Sequence, residues 1–289
     1  MRQIRSKTIL SKVKQDPWFK ISYNMNLYRG CTHGCIYCDS RSLCYHVERF
    51  DEPALKENAV EMLARELAGK SSKGIIGFGS MNDPYMPEER DQMQTHEALK
   101  VIERRKFPVH IITKSDLVLR DIVILKSIAK VYAAVSVTIT TADDLLAKKI
   151  EPQAPLSSVR FGVIRQLREA GIHAGITLMP VLPFINDTEE NVRSIVKQAV
   201  LADAEYIIPY FGVTLREGSR EYFYEKLDKY FPGVRQQYET VFGESYECSS
   251  PRANALYKLL NRMCEKHGIG QTLPEYRIPG TGQLDLFDL

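Results

Sequence analysis

The chain has 289 residues, of which 44% are hydrophobic and 26% charged, and its net charge is only +3. It has the composition of an ordinary soluble globular chain that can bury a large core, and this charge alone does not argue for a nucleic-acid partner. No apolar run approaches the roughly 18 residues of a membrane span, and the basic start lacks the apolar core of a signal peptide. We therefore expect a cytoplasmic protein with no membrane partner.

A basic arm precedes the rest of the chain at residues 1–20. Up to Arg29 there are seven basic residues against a single acid, Asp16. Such an arm could meet phosphates if it led into an active site. A solvated surface is the more ordinary interpretation of the same pattern, and it is the one we favour.

Three cysteines then stand close together in the string CTHGCIYC, at Cys31, Cys35 and Cys38. Residues 21–28 before them alternate like a strand, and Arg29-Gly30 breaks that strand into a loop. In a reducing cytosol, clustered thiols hold a metal or cluster more often than they form disulfides. Structural zinc normally takes four protein ligands, and a three-cysteine loop would leave one iron of an iron-sulfur cluster open. A zinc loop completed by a distant ligand and three unrelated buried thiols are the alternatives.

Strands and helices alternate through the next part of the chain, in units of about thirty residues. The predicted strands cover 21–28, 73–79, 109–113, 131–140, 172–182 and 206–215, and the predicted helices cover 52–70, 87–106, 117–130, 157–170 and 188–203. This alternation predicts parallel βαβ connections. Pattern alone does not choose between an open sheet and a barrel, since both have apolar strands covered by helices.

After residue 215 the alternation stops. Helices are predicted at 220–231 and 250–267, where they would close one side of the core. Residues 279–287 have no core-forming periodicity and predict a tail, docked by Leu284 and Phe287. The predicted organisation is thus an arm at 1–20, a core at 21–215, and C-terminal helices and tail at 216–289 packed on the same domain.

Small polar residues stand where three predicted strands end. Ser80, Asn82 and Asp83 follow the second strand, in a stretch that lacks the third glycine of a dinucleotide-binding loop and so excludes that interpretation. They could bind a ligand or could simply stabilise a turn. Lys114 ends the next strand, where a buried ammonium needs an anionic partner unless it sits on a solvated rim. Ser136 and Thr138 share one face of the strand after that, and such a polar face suits a cofactor ribose, although threonine is also a good strand former.

The string CTHGCIYC resembles the Cys-x3-Cys-x2-Cys signature of the radical S-adenosylmethionine (SAM) superfamily. The resemblance implies a partial (β/α)6 TIM-type barrel with a C-terminal helical extension and a [4Fe-4S] cluster on Cys31, Cys35 and Cys38. It also implies that SAM binds the open iron, with Tyr37 near its adenine. An electron from a donor of the flavodoxin or ferredoxin type would then split SAM to a 5'-deoxyadenosyl radical that abstracts hydrogen from a substrate.

Further motifs resemble the spore photoproduct lyase-like branch of that superfamily: NDPY from Asn82, TKS around Lys114, Glu151-Pro152, and MPVLP from Met179. This resemblance implies that Lys114 and Ser136 contact SAM, with Asn82 at or near a third contact. The full predicted SAM site is Tyr37, Ser80, Asn82, Asp83, Lys114, Ser136 and Thr138.

Ser80 falls where the lyase carries a cysteine that returns hydrogen to its product. Because an O–H bond is far stronger than an S–H bond, thymine photoproduct repair by that route is in doubt. The substrate stays unidentified, with DNA as one candidate.

The alternative function, from a different class of protein, is a non-catalytic iron-sulfur or zinc protein that senses redox state. Cys44 is a candidate hydrogen donor or ligand of a second iron species, whereas Cys248 and Cys264 are predicted to be small buried hydrophobes.

Overall fold

A seven-stranded sheet organises the chain in the computed structural model, which describes residues 1–276. The described residues contain twelve strands and ten α-helices. The strands are β1 (Arg2–Ile4), β2 (Leu10–Lys12), β3 (Tyr23–Met25), β4 (Tyr28–Arg29), β5 (Ala54–Lys56), β6 (Ile76–Phe78), β7 (Val109–Thr113), β8 (Ala133–Thr138), β9 (His173–Leu178), β10 (Ile207–Pro209), β11 (Gly212–Thr214) and β12 (Glu247–Ser249).

The helices alternate with the longer strands and cover the sheet. They are α1 (Ala59–Ala68), α2 (Glu89–Gln92), α3 (Gln94–Arg105), α4 (Ile122–Ile128), α5 (Asp144–Ile150), α6 (Ser157–Glu169), α7 (Glu189–Leu201), α8 (Ser219–Tyr230), α9 (Val234–Phe242) and α10 (Ala253–His267). Short 3-10 helices cover Asp39–Arg41, Leu43–Tyr45 and Asp116–Asp121. None of the helices in residues 1–276 is both long and apolar enough to cross a membrane.

The main sheet runs in the order β2-β3-β6-β7-β8-β9-β10. Every neighbouring pair from β3 to β10 is parallel, and β2 pairs antiparallel with β3 at one edge. All six predicted strands are therefore present and adjacent in chain order, as parallel βαβ connections require. The prediction of an α/β fold with a parallel sheet is confirmed.

Apolar side chains place the core between this sheet and its helices. Strand β8 is buried along its whole length. Helix α1 presents Ala59, Leu63 and Leu67, spaced four residues apart, to the interior, as helical periodicity predicts. Helices α7 and α10 pack together, so the last helix joins the same core.

Several predicted boundaries were wrong because tertiary pairing overrides local pattern. The helix predicted at 52–70 begins only at Ala59, since residues 54–56 form β5 and pair with both β1 and β4. The helix predicted at 87–106 breaks at Met93, which has a positive φ of 55°. The strand predicted at 206–215 divides into β10 and β11, and β11 pairs antiparallel with β12. Helices α5 and α9 were not predicted.

The N-terminal arm contributes β1 and β2, each paired with a strand from later in the chain. The division into arm, core and C-terminal region remains a prediction. The tail predicted at 279–287, with Leu284 and Phe287, lies outside the described residues.

Candidate active site

The cysteine loop is fixed to the body of the protein by its backbone. Gly30 begins it with φ of 91°, and a Cβ at that position would lie 2.5 Å from the Phe50 carbonyl oxygen. Only glycine tolerates both the backbone conformation and the close approach. The Cys31 N–H donates to the Phe50 carbonyl at 2.9 Å, and the Ile36 N–H donates to the Ile150 carbonyl at 2.9 Å. The loop is thus held in place at several points.

A cavity of about 340 Å³ opens where the parallel strands end. The three loop cysteines form one wall, and polar residues that follow β6, β7 and β8 form others. The predicted site residues that line the cavity are Cys31, Cys35, Tyr37, Cys38, Ser80, Asn82, Asp83, Lys114 and Thr138. The carboxyl ends of parallel strands are the usual position of the site in this type of fold, and these distant sequence segments meet there.

The three thiols suit a metal centre in number, burial and chemistry. All three are free, with Cys31 and Cys35 buried and Cys38 partly buried. Burial raises the pKa of the Cys35 thiol to about 12, with Lys114 acting in the opposite direction. Thiolates are the ligands that iron-sulfur clusters use, and each binds a separate iron. Among residues 1–276, no three His, Cys, Asp or Glu side chains are grouped so that they could hold a single metal ion.

Asp83 links the cysteine loop to two strand ends. Its Oδ1 accepts hydrogen bonds from the Tyr85 N–H at 2.9 Å and the Thr113 hydroxyl at 2.6 Å. Its Oδ2 accepts from the Lys114 N–H at 2.7 Å and lies 3.0 Å from His33 Nε2. Burial raises the pKa of this carboxyl, but His33 and these hydrogen bonds outweigh burial and hold the pKa below its usual value. Both carboxylate oxygens are therefore occupied by contacts within the protein. Asp83 holds the cysteine loop and the end of β7 in position, and neither oxygen is left free for a ligand.

A buried ion pair fixes the ring of Tyr37. The Tyr37 hydroxyl donates to Glu151 Oε1, and Arg160 Nη1 donates to Glu151 Oε2 at 2.5 Å and to the Thr138 carbonyl at 2.9 Å. Burial raises the pKa of Glu151, but Arg160 and Lys114 outweigh it and keep the pKa low. The sequence analysis singled out Glu151 within a motif but missed Arg160. In the sequence, Arg160 has the pattern of an ordinary helix arginine, and only the packing of α6 beside β8 brings it to Glu151.

Lys114 is the only lysine or arginine within residues 1–276 that lines this cavity together with the thiols. Its Nζ lies 5.7 Å from the centre of the Tyr37 ring. Burial lowers the pKa of this ammonium, but its electrostatic interactions with Cys35, Glu151 and Asp83 outweigh burial and raise the pKa. Within the part of the chain that the structure describes, no side chain or carbonyl accepts a hydrogen bond from it, which leaves its three donors available to an anionic ligand.

The other lining residues make contacts within the protein. Asn82 Nδ2 donates to the Tyr28 carbonyl at 2.7 Å, and the exposed Ser80 hydroxyl donates to Asn24 Oδ1 at 2.9 Å. Thr138 Oγ1 lies 2.8 Å from Thr177 Oγ1 on the next strand. These contacts hold the polar groups in place along the cavity wall.

Ser136 is the one predicted site residue that the structure does not bring to this cavity. Its Oγ is fully buried, 2.8 Å from His110 Nε2 and 2.9 Å from the Tyr206 hydroxyl. Ser136 and Thr138 are two residues apart on one strand, so only the residue nearer the carboxyl end reaches the cavity. Ser136 therefore makes its contacts with His110 and Tyr206 within the protein and does not line this cavity.

The remaining cysteines stand apart from the cavity wall. Cys44 is exposed, and Arg216 Nη1 lies 3.7 Å from its sulfur. Cys248 and Cys264 are buried, as predicted.

The fold and the thiol-lined cavity agree with the comparison to protein families. The radical SAM superfamily model matches residues 25–196, which contain all of the cavity residues from the cysteine loop to β9. The chain belongs to the radical SAM superfamily and is an enzyme of that class. Membership implies that it uses SAM and an iron-sulfur cluster, together with an electron donor and a substrate.

Three individual matches are informative. A spore photoproduct lyase complexed with dinucleoside spore photoproduct has a similar fold, with a TM-score of 0.68 at 14% identity over 92% of this chain and 79% of that one. An uncharacterized protein of Mycobacterium tuberculosis is 27% identical over 83% of this chain and 73% of its own. A radical SAM Nalpha-GlyT isomerase of Pseudomonas phage M6 is 24% identical over 88% of this chain and 54% of its own.

Proposed function

We propose that Cys31, Cys35 and Cys38 bind a [4Fe-4S] cluster and that SAM binds in the adjoining cavity. When bound, these groups supply one-electron cleavage of SAM to a 5'-deoxyadenosyl radical, which abstracts hydrogen from a substrate. The observation that carries the proposal is that three thiols and the unpaired ammonium of Lys114 line one cavity at the carboxyl ends of the strands.

Different residues of the cavity would bind different parts of SAM. Lys114 would pair with its carboxylate, since a charge-assisted contact offsets the cost of keeping that ammonium half-buried. Tyr37, held by Glu151, would offer a fixed aromatic ring beside the adenine. Asn82 and Thr138 would contribute polar groups along the wall, and Asp83 would keep the cysteine loop and β7 aligned.

A nucleoside-containing substrate is the class that we favour, with DNA as one candidate. The support comes from relatives, because the solved lyase is complexed with dinucleoside spore photoproduct and the phage relative is named a radical SAM Nalpha-GlyT isomerase. Ser80 occupies the cavity rim where the lyase resemblance placed a cysteine. Ser80 would not return hydrogen to the product, because its O–H bond is too strong.

The electron donor would be of the flavodoxin or ferredoxin type.

The proposal is tested by SAM cleavage. Protein reconstituted anaerobically with iron and sulfide is given dithionite and SAM, and 5'-deoxyadenosine is quantified. We expect the product from the wild type and from Cys44→Ala, whose thiol lies outside the cavity, and none from Cys35→Ala. Zinc in place of iron, or a reducible cluster that yields no 5'-deoxyadenosine in the wild type, would contradict the proposal.

A further inference from the structure

A second cavity of about 300 Å³ adjoins the first and shares Met81 and Asn82 with it. Three basic residues line this second cavity: Arg5, Arg29 and Lys56. The proposed reaction at the thiols uses none of them. A concave surface lined by one sign of charge concentrates ions of the opposite sign.

The small sheet of β1, β5 and β4 brings these three residues together. In its register, Ile4 of β1 pairs with Lys56 of β5, and Arg29 of β4 pairs with Ala54 of β5. Arg5 directly follows Ile4. The first residues of the basic arm, which the sequence analysis treated as a solvated surface, therefore pair with β5, and β5 pairs in turn with β4, the strand that leads into the cysteine loop. Arg5 of this arm lines the cavity.

The positive charge in this cavity is only partly neutralised. Arg5 lies 3.7 Å from Glu57, but its side chain is 94% exposed, so this pair is weak. Arg29 Nη2 donates to two neutral acceptors, the Tyr45 carbonyl at 3.0 Å and the His46 carbonyl at 2.7 Å.

Lys56 is the cation with the least compensation. Burial and the charge of Arg29 lower the pKa of its ammonium, with Glu66 acting in the opposite direction. Both oxygens of Glu66 already accept hydrogen bonds, from the N–H groups of Ile9 and Leu10. Among residues 1–276, no group forms a hydrogen bond or ion pair with the Lys56 ammonium. A half-buried cation beside a second cation costs stability unless an anion joins them.

We propose that this cavity binds a phosphate group, and that in the working enzyme the phosphate belongs to the substrate whose reacting part lies in the adjoining cavity. Two guanidinium groups and one ammonium offer donors for phosphate oxygens. The link to the substrate rests on the proposed function above, whereas phosphate binding itself does not.

The test is thermal unfolding of the anaerobically purified full-length protein in inorganic phosphate, against chloride of equal ionic strength. A ligand that binds only the folded state raises Tm, and phosphate at about tenfold its Kd should raise Tm by about 3 °C. In Lys56→Met we expect this rise to disappear, together with a higher Tm in chloride, because an unpaired cation has been removed. Arg5→Gln, at an exposed side chain, should weaken the phosphate effect without lowering Tm in chloride.

The matched control is Lys126→Met on α4, an exposed lysine outside both cavities, which should respond to phosphate like the wild type. An equal rise in Tm for wild type, Lys56→Met and Arg5→Gln would be a general salt effect and would overturn the proposal, as would no rise in any of them. Failure of SAM cleavage would leave this assay unaffected, so the two proposals can fail separately.

The source of the phosphate is identified in the same assay. A nucleoside monophosphate and a short single-stranded oligonucleotide are compared at equal phosphate concentration. Protection by the nucleoside monophosphate alone indicates a phosphomonoester, protection by the oligonucleotide alone indicates a phosphodiester, and equal protection by both indicates that the cavity accepts either form. Protection that persists in Lys56→Met would contradict the assignment to this cavity in either case.

Discussion

Among single residues, Lys114 carries the most direct consequence for cofactor binding. Replacing it with methionine keeps the aliphatic stem but removes the charge that the proposal assigns to the SAM carboxylate. A charge-assisted hydrogen bond contributes about 1.5–3 kcal/mol, so we expect Lys114→Met to raise the Kd for SAM by about 10- to 100-fold. Equilibrium dialysis of the reconstituted protein measures this constant.

Two variants serve as controls for Lys114. Lys126→Met removes an exposed lysine from α4 and should leave the Kd for SAM unchanged. Ser136→Ala tests the position that sequence resemblance assigned to SAM but that the structure buries against His110, and it too should leave the affinity unchanged. A large loss of SAM affinity in Ser136→Ala, with none in Lys114→Met, would contradict the assignment of the cavity wall.

His110 predicts a pH dependence of stability. Burial lowers the pKa of this imidazole from its ordinary value of 6.5 to about 3, so the unfolded chain binds a proton that the folded protein excludes. The contribution of neutral His110 is therefore complete above pH 6.5 and is lost as the pH falls toward 3. At pH 5.5 this group should have removed about 1.4 kcal/mol of stability relative to pH 8.

Urea unfolding of the cluster-free protein at both pH values, compared with His110→Gln, isolates this effect. The free energy of unfolding should fall by about 1.4 kcal/mol more in the wild type than in the variant. Parallel pH profiles for the two proteins would show that His110 is not buried in its neutral form.

At the level of elements, the connection from β4 into the cysteine loop depends on Gly30. A Cβ there would meet the Phe50 carbonyl oxygen at 2.5 Å, at a φ that side chains rarely adopt. We expect Gly30→Ala to lower the free energy of unfolding by more than about 2 kcal/mol and to reduce iron retention, because the loop would move away from its anchor.

Gly162 in α6 provides the matched control for Gly30. A Cβ at Gly162 has no neighbour within 4 Å, so Gly162→Ala should stabilise the protein by about 0.5–1 kcal/mol through helix propensity. Urea unfolding and iron content of both variants test the pair. A Gly30→Ala protein as stable as Gly162→Ala would contradict the role of the close approach.

The elements that the sequence predicted correctly share one property. Five of the six parallel strands are apolar runs bounded by turn residues, and β3 lies in a stretch of alternating residues. The helices between the strands carry their own periodicity, so local pattern was sufficient. The strands β1, β5 and β12, in contrast, owe their structure to pairing with partners far away in the chain. No local pattern specifies such pairings, which explains why β5 was assigned to the start of a helix.

Across the whole molecule, the site also contains some features that local sequence pattern predicts and others that only tertiary packing creates. The three cysteines and Lys114 were predictable, because residue type and position at a strand end were enough to bring them to one edge of the sheet. The Arg160–Glu151 pair and the burial of Ser136 follow from how α6 and the sheet interior pack, which spacing does not specify. The second cavity likewise exists only once β1 and β4 flank β5, so the basic arm could not be connected to it beforehand.

The central claim is that the three thiols hold a cluster with one iron open to SAM. It is tested most directly by iron and sulfide analysis combined with electron paramagnetic resonance of the dithionite-reduced protein, with and without SAM. The account predicts about four iron and four sulfide per chain and a cluster signal that changes on adding SAM, in the wild type and in Cys44→Ala. A cluster of full stoichiometry in Cys35→Ala, or a wild-type signal that ignores SAM, would contradict it.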